Sequence, residues 1–185
     1  MVRFGMPTYI AMLRGINVSG HNIIKMEQLR ASFTALGFGN TKTYIQSGNL
    51  VFAASNDSIA GLAEKISRRI LDDFAMSVPV TLKTAKEIGQ IIKRNPFPKM
   101  RGIDPSKLHV TFLSGDPPPK ALEQLLPLAA KSEQVRIVGQ EVFLYCPDGY
   151  GNTKLSNTAI EKKLGGSDHA QLEDGKYSFG HGAVT

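Results

Sequence analysis

Arginine, asparagine, glutamine, serine and lysine crowd two short strings near the start of the chain, and these residue types can hold an anion. The first is Leu13-Arg14-Gly15-Ile16-Asn17, which continues through His21 and Asn22 to Lys25; the second is Tyr44-Ile45-Gln46-Ser47-Gly48-Asn49. In both, an apolar run breaks into polar residues, the pattern of side chains held at the ends of buried strands. Arg14, Asn17, Asn22 and Lys25 lie at or just beyond a first strand and lead into a helix. A helix N-terminus gathers backbone N–H donors and positive potential, which suits a phosphate or carboxylate. The competing role is local: Asn17 and Asn22 cap turns and the helix, and Arg14 pairs with a nearby carboxylate.

Gln46, Ser47 and Asn49 flank Gly48, where a hairpin needs a positive φ and side chains that bond the backbone. Turn formation accounts for the glycine and the asparagine, but not for Gln46 or Tyr44 beside them. A third junction, 149–153 followed by Lys154 and Asn157, again runs from a glycine-rich loop into a helix. It offers either an anion contact or ordinary capping by Asn152 or Thr153.

Catalytic constellations are missing, and no metal or cofactor is expected. His21, His109, His169 and His181 show no metal-type spacing with one another or with Cys146. His109, inside an apolar strand, reads as a core histidine, Cys146 as a buried thiol, and Asp72-Asp73 as solvated carboxylates. Neither a phosphate-cradling glycine loop nor a Gly-x-Ser-x-Gly elbow occurs.

The elements that position these strings follow from periodicity. Residues 9–16 form an apolar strand, and Met26, Leu29, Phe33 and Leu36 recur at helical spacing before Gly37. Strands over 42–46 and 50–54 surround the 47–49 turn. Asp57 or Ser58 caps a helix whose stripe is Ile59, Leu62, Ile66, Ile70 and Phe74. A strand over 78–82 follows, with Pro79 favouring an edge. The order is that of the split βαβ unit. A linking helix over 86–93 and a loop to residue 107 lead into a second set: strand 108–113, helix 119–130 interrupted or ended by Pro127, hairpin 135–145 and helix 152–164.

The expected fold is α+β: two pseudo-duplicated ferredoxin-like halves with antiparallel or mixed sheets. Residues 1–84 are one half, 85–107 the link, 108–165 the other half, and 166–185 an atypical tail. With the first and third strands taken as parallel, Arg14 and Asn49 fall at opposite edges of the first sheet.

An apolar content of 42% in 185 residues supplies one good core or two small ones. No apolar run approaches the roughly 20 residues needed to cross a bilayer, and no secretory signal is read at the start. A single cysteine excludes an internal disulfide, so a cytoplasmic setting is expected. The net charge of +6 is spread along the chain, which reads as solubility more than as a nucleic-acid patch.

The two polar strings resemble those of a bacterial family known as domain of unknown function 1697, whose members share LRGIN-type and YIQSGN-type strings. The resemblance covers about residues 8–165 and is compatible with the duplicated α+β fold. The 149–155 segment is similar to the family's glycine-rich approach to a Ser/Thr-Lys-Leu string. After Gly165 the likeness stops. A Thr-Thr-Arg-Asn-Trp-type string is what the resemblance implies next, but the chain reads Ser167-Asp-His-Ala-Gln-Leu-Glu-Asp-Gly175. One coding sequence permitted for that stretch, read one nucleotide later, gives Val-Thr-Thr-Arg-Asn-Trp-Lys-Thr. A one-base shift is therefore the expectation for the origin of the tail.

Three functions compete. The leading one is a binding protein for a small anionic or nucleotide-like ligand, using Arg14, Asn17, Asn22, Lys25 and the 46–49 hairpin. The second is RNA or single-stranded nucleic-acid binding on an open sheet, which needs exposed aromatics; Tyr44, Phe52 and Phe112 are the candidates. The third is a structural or partner-binding module. Nothing in the sequence specifies an enzyme, a membrane partner or an oligomeric state.

Overall fold

The computed structural model describes residues 6–17, 21–44, 48–55, 58–97, 100–113, 115–164 and 172–173. The chain divides into two compact units, Met1–Gln90 and Ile91–Thr185, with the division inside the third helix. Its class is α+β, and every described strand pair is antiparallel.

In the first unit the order is β1 (Thr8–Leu13), α1 (Met26–Ala35), β2 (Gly39–Tyr44), β3 (Asn49–Ala53), α2 (Ile59–Phe74) and β4 (Val80–Thr84), and α3 (Ala85–Arg94) begins there. The sheet runs β2-β3-β1-β4, so β4, preceded by Pro79, is an edge. Strand alternation turns Tyr9, Ala11, Leu13, Leu50, Phe52, Val80 and Leu82 toward the helices, where Leu29, Phe33, Leu62, Ile66 and Ile70 complete the core. Phe52 stands at the centre of an aromatic cluster, with ring centroids 4.5 Å from Phe38, 5.3 Å from Phe33 and 5.7 Å from Tyr9.

Local chemistry sets the helix ends. At the end of α1, Gly37 takes φ +81°; its N–H donates to Thr34 and the N–H of Phe38 to Phe33, while the Phe38 ring packs on Phe33. Those are the bonds and the apolar contact of a Schellman motif. Ser58 Oγ accepts from the N–H of Gly61 and caps α2. Thr84 and Glu87 form a reciprocal capping box at α3: the Thr84 N–H and hydroxyl donate to Glu87 Oε2 at 2.7 and 2.8 Å, and the Glu87 N–H returns to Thr84 Oγ1.

Several expectations are corrected. β1 ends at Leu13, because Gly15 (φ +71°) and Asn17 (φ +53°) turn the chain. β1 and β3 are antiparallel neighbours, with Met12 opposite Asn49. The end of β1 and the turn leading into β3 therefore share one end of the sheet instead of lying at opposite edges.

The second unit contains β5 (Leu108–Leu113), α4 (Ala121–Leu125), β6 (Gln134–Val138), β7 (Glu141–Tyr145), α5 (Asn157–Leu164) and β8 (Leu172–Glu173), in a sheet ordered β6-β7-β5-β8. Its helix-covered core joins Leu113, Val142, Leu144 and Cys146 to Leu125, Ile160 and Leu164. On the other face, Arg94 pairs with Glu141 at 3.0 Å and Arg136 lies over the Phe97 ring. Two helices are shorter than expected. α4 gives way at Leu126 to a tight turn containing Pro127, which lacks the N–H to continue it. α5 starts at Asn157, five residues late, because 150–152 close a separate turn. Of the tail, Leu172 and Glu173 pair with Leu113 and Phe112 as a short strand that the sequence pattern missed. The rest of 166–185 lies outside the described residues. No described helix is long and apolar enough to cross a membrane.

Candidate functional site

The first polar string is shaped by its own hydrogen bonds. The Asn17 amide exchanges two bonds with the Ile24 backbone, donating to its carbonyl at 3.1 Å and accepting from its N–H at 2.9 Å. Asn22 Nδ2 donates to the Gly15 carbonyl at 3.0 Å, and the Asn17 N–H to the Asn22 carbonyl at 3.1 Å. Both asparagines take positive φ, 53° and 50°, which Asn tolerates better than most residues. Asn17 and Asn22 thus close the 15–24 loop, and neither caps α1.

Lys25 occupies the N-cap position instead, and its side chain makes no capping hydrogen bond. The first turn of this ten-residue helix carries Glu27, a negative charge beside the positive end of the helix dipole.

Gly48 joins the two strings. Its carbonyl accepts from the Leu13 N–H at 3.3 Å, and its φ is +82°. A Cβ there would lie 2.5 Å from Ile16 Cδ1 and 3.2 Å from Leu13 Cβ. Only glycine supplies both the backbone angle and the space. Gln46 and Ser47 lie outside the described residues.

Strand register then aligns rows of side chains on the face of the sheet opposite α1 and α2. Met12 has Asn49 on one side and Thr81 on the other. In the next row Ile10 stands between Val51 and Lys83, and Lys42 stands opposite Val51. The Arg14 N–H donates to the Pro79 carbonyl at 3.0 Å, so Arg14 continues the β1 ladder and follows Met12 on that face. Asn49 and Thr81 are buried at 4% and 7% exposure, and Arg14 is half-buried. Sequence reasoning missed Thr81, Lys83 and Lys42. The signal was present in Val80-Thr81-Leu82-Lys83, whose alternation gives β4 one apolar and one polar face.

Residues 6–143 match the family model described as "Protein of unknown function (DUF1697)". The chain belongs to that family. It is also similar to a solved structure, that of the conserved bacterial protein SP0830 from Streptococcus pneumoniae, at 25% identity and a TM-score of 0.62. The match covers 80% of this chain and 82% of the other. No curated protein matches it.

In this DUF1697 protein the third junction is organised around Asn157. Its Oδ1 accepts from the hydroxyls of Thr111 at 2.8 Å and Tyr150 at 2.9 Å, and the residue is buried at 8% exposure. The Tyr150 ring lies 4.7 Å from that of half-buried His109. Asn157 therefore ties α5 to β5, while Lys154 is exposed in the preceding loop. Capping falls to Ser156, whose Oγ accepts from the Ala159 N–H at 3.3 Å. Neither expected cap serves α5: Thr153 Oγ1 accepts from the Leu155 N–H, and Asn152 donates to the Asp148 carbonyl.

The aromatic candidates for base stacking are in the interior. Phe52 is at 0% exposure and Phe112 at 2%; the Tyr44 side chain lies outside the described residues. Asp73 is exposed, as a solvated carboxylate should be, but it also has partners. It accepts from Ser32 Oγ at 2.5 Å and from Arg69 at 2.8 Å, so it links α1 to α2. Among the described residues no group of His, Cys, Asp and Glu suits a metal ion.

Proposed function

We propose that this protein binds a small anionic or nucleotide-like ligand on the face of its first sheet opposite α1 and α2, beside the C-terminal end of β1. The single observation carrying this reading is the register that aligns Asn49, Met12 and Thr81 and sets Arg14 next on the same face. Arg14 would supply a planar set of N–H donors, and Asn49 and Thr81 neutral partners. Lys42, Lys83 and Lys25 add positive potential around them. Asn17 and Asn22 act indirectly by holding the loop, and Gln46 and Ser47 belong to the same string. In the second unit Asn157 is a structural tie and Lys154 a peripheral charge.

The architecture behind the reading is two ferredoxin-like halves related by duplication. It is supported by matching element order and by the sheet orders β2-β3-β1-β4 and β6-β7-β5-β8. The setting that fits is the cytoplasm, where the free thiol of Cys146 stays reduced.

The test is a thermal-shift screen of nucleotides and phosphorylated metabolites, followed by the Arg14→Ala variant. A ligand that binds the folded state raises Tm. Arg14→Ala is expected to weaken the responding ligand about tenfold or more while changing the ligand-free Tm by no more than a few degrees. No response from the wild type, or equal loss of affinity and stability in the variant, would refute the reading.

A further inference from the structure

Three arginines answer a carboxylate: Arg68 pairs with Glu64 at 3.0 Å, Arg69 with Asp73 at 2.8 Å and Arg94 with Glu141 at 3.0 Å. Arg136, on β6 of the second unit, has no such partner among the described residues, yet it is held in place. Its Nη1 donates to the Val135 carbonyl at 2.8 Å, and its guanidinium carbon lies 5.9 Å from the centre of the Phe97 ring. Phe97 is itself fixed, being at 0% exposure, and its N–H donates to Oδ1 of buried Asn95 at 3.0 Å. A charge that serves only to keep an edge strand from pairing needs no such support.

Strand register sets two further polar groups beside it. β6 is an edge of its sheet, and Val135, Val142 and Leu144 belong to the core under α4 and α5. By alternation Gln134, Arg136, Phe143 and Tyr145 share the opposite face, with Gln134 across from Tyr145 and Arg136 across from Phe143. Tyr145 is thus the diagonal neighbour of Arg136, within reach of a long side chain. Arg136 is exposed and Gln134 and Tyr145 are half-buried, so all three meet solvent. The carboxylate that β7 places on this face, Glu141, is neutralised by Arg94, which leaves Arg136 as net positive charge.

We infer that Arg136, Gln134 and Tyr145 form an oxyanion site on the second unit, one that takes a phosphate or carboxylate group. Its residues are not those of the first-sheet site, and neither site requires the other. The remaining N–H groups of the guanidinium fork match two oxygens of one anion, and the Tyr145 hydroxyl and Gln134 amide supply further donors. A fork already held by a ring and a carbonyl loses little freedom on binding.

Arginine Nε–Hε NMR signals of the full chain, followed as sodium phosphate or sodium acetate is added, test it against sodium chloride at equal ionic strength. The Arg136 signal, identified by its absence from Arg136→Lys, should move saturably with at least one of the two oxyanions, whereas exposed Arg101 moves only as it does in chloride. Tyr145→Phe and Gln134→Ala, both at half-buried positions, should each raise the Arg136 midpoint about threefold, the loss expected for one hydrogen bond. Saturation by phosphate alone assigns the site to a phosphate group, and by acetate alone to a carboxylate; saturation by both makes it a general oxyanion site. An Arg136 shift no larger than that of Arg101, or midpoints unchanged in both variants, overturns the inference.

Discussion

At the scale of single residues, two titratable groups have environments that fix their behaviour. Burial, assisted by the charge of Glu133, pushes the Cys146 thiol up to about 11 despite a hydrogen bond with Thr153. At pH 8 the group is therefore a buried thiol and not a thiolate, the form that reacts. Native protein should react with a disulfide reagent only as fast as it opens, and urea-unfolded protein within the mixing time. Rapid native labelling would contradict this. For Asp73 the Ser32 hydroxyl and then Arg69 outweigh desolvation and hold the carboxyl below its ordinary value. Since the folded-state pKa is depressed, this stabilisation is present above the unfolded carboxylate range and is lost as pH falls through the folded value. Ser32→Ala should cost about 1 kcal/mol at pH 7. Urea midpoints should show a smaller gap between variant and wild type at pH 3.

At the scale of elements, the ends carry most of the information. Burial raises the Glu87 carboxyl, but the two donations from Thr84 and the nearby Lys83 charge overcome it, so its pKa is lowered. Thr84→Ala removes two of the three bonds of that capping box and should lower stability by about 1 kcal/mol, read as a drop of several degrees in Tm. Gly48→Ala is expected to be worse, at about 2–4 kcal/mol, because strain at φ +82° adds to the collision with Ile16. In a double-mutant cycle with Ile16→Val the losses should be less than additive. Full additivity would mean that backbone strain alone limits the position.

At the scale of the molecule, a formal charge of +6 attracts nucleic acid nonspecifically at low salt. Stacking, which would hold single strands as salt rises, needs exposed rings, and Phe52 and Phe112 are in the interior. Any electrophoretic retention of single-stranded RNA should therefore vanish by about 0.2 M salt. Retention that survives that concentration would revive the nucleic-acid reading.

The sequence by itself determined the family, the α+β class and most elements, because apolar spacing and punctuating residues such as Gly37, Ser58 and Gly139 act locally. It also marked Leu13, Ile16, Leu29 and Phe33 as core, and all four are buried. It could not decide what stands opposite what. The asparagine role shows this: Asn17 and Asn22 look like ligand donors until the loop folds and the Ile24 and Gly15 backbones take their amides. Likewise, the antiparallel register of β1 against β3 and β4 unites Arg14, Asn49 and Thr81, which are spread over 67 positions of chain. Ladder pairing joins residues by space and not by sequence distance, so that face exists only in the tertiary structure.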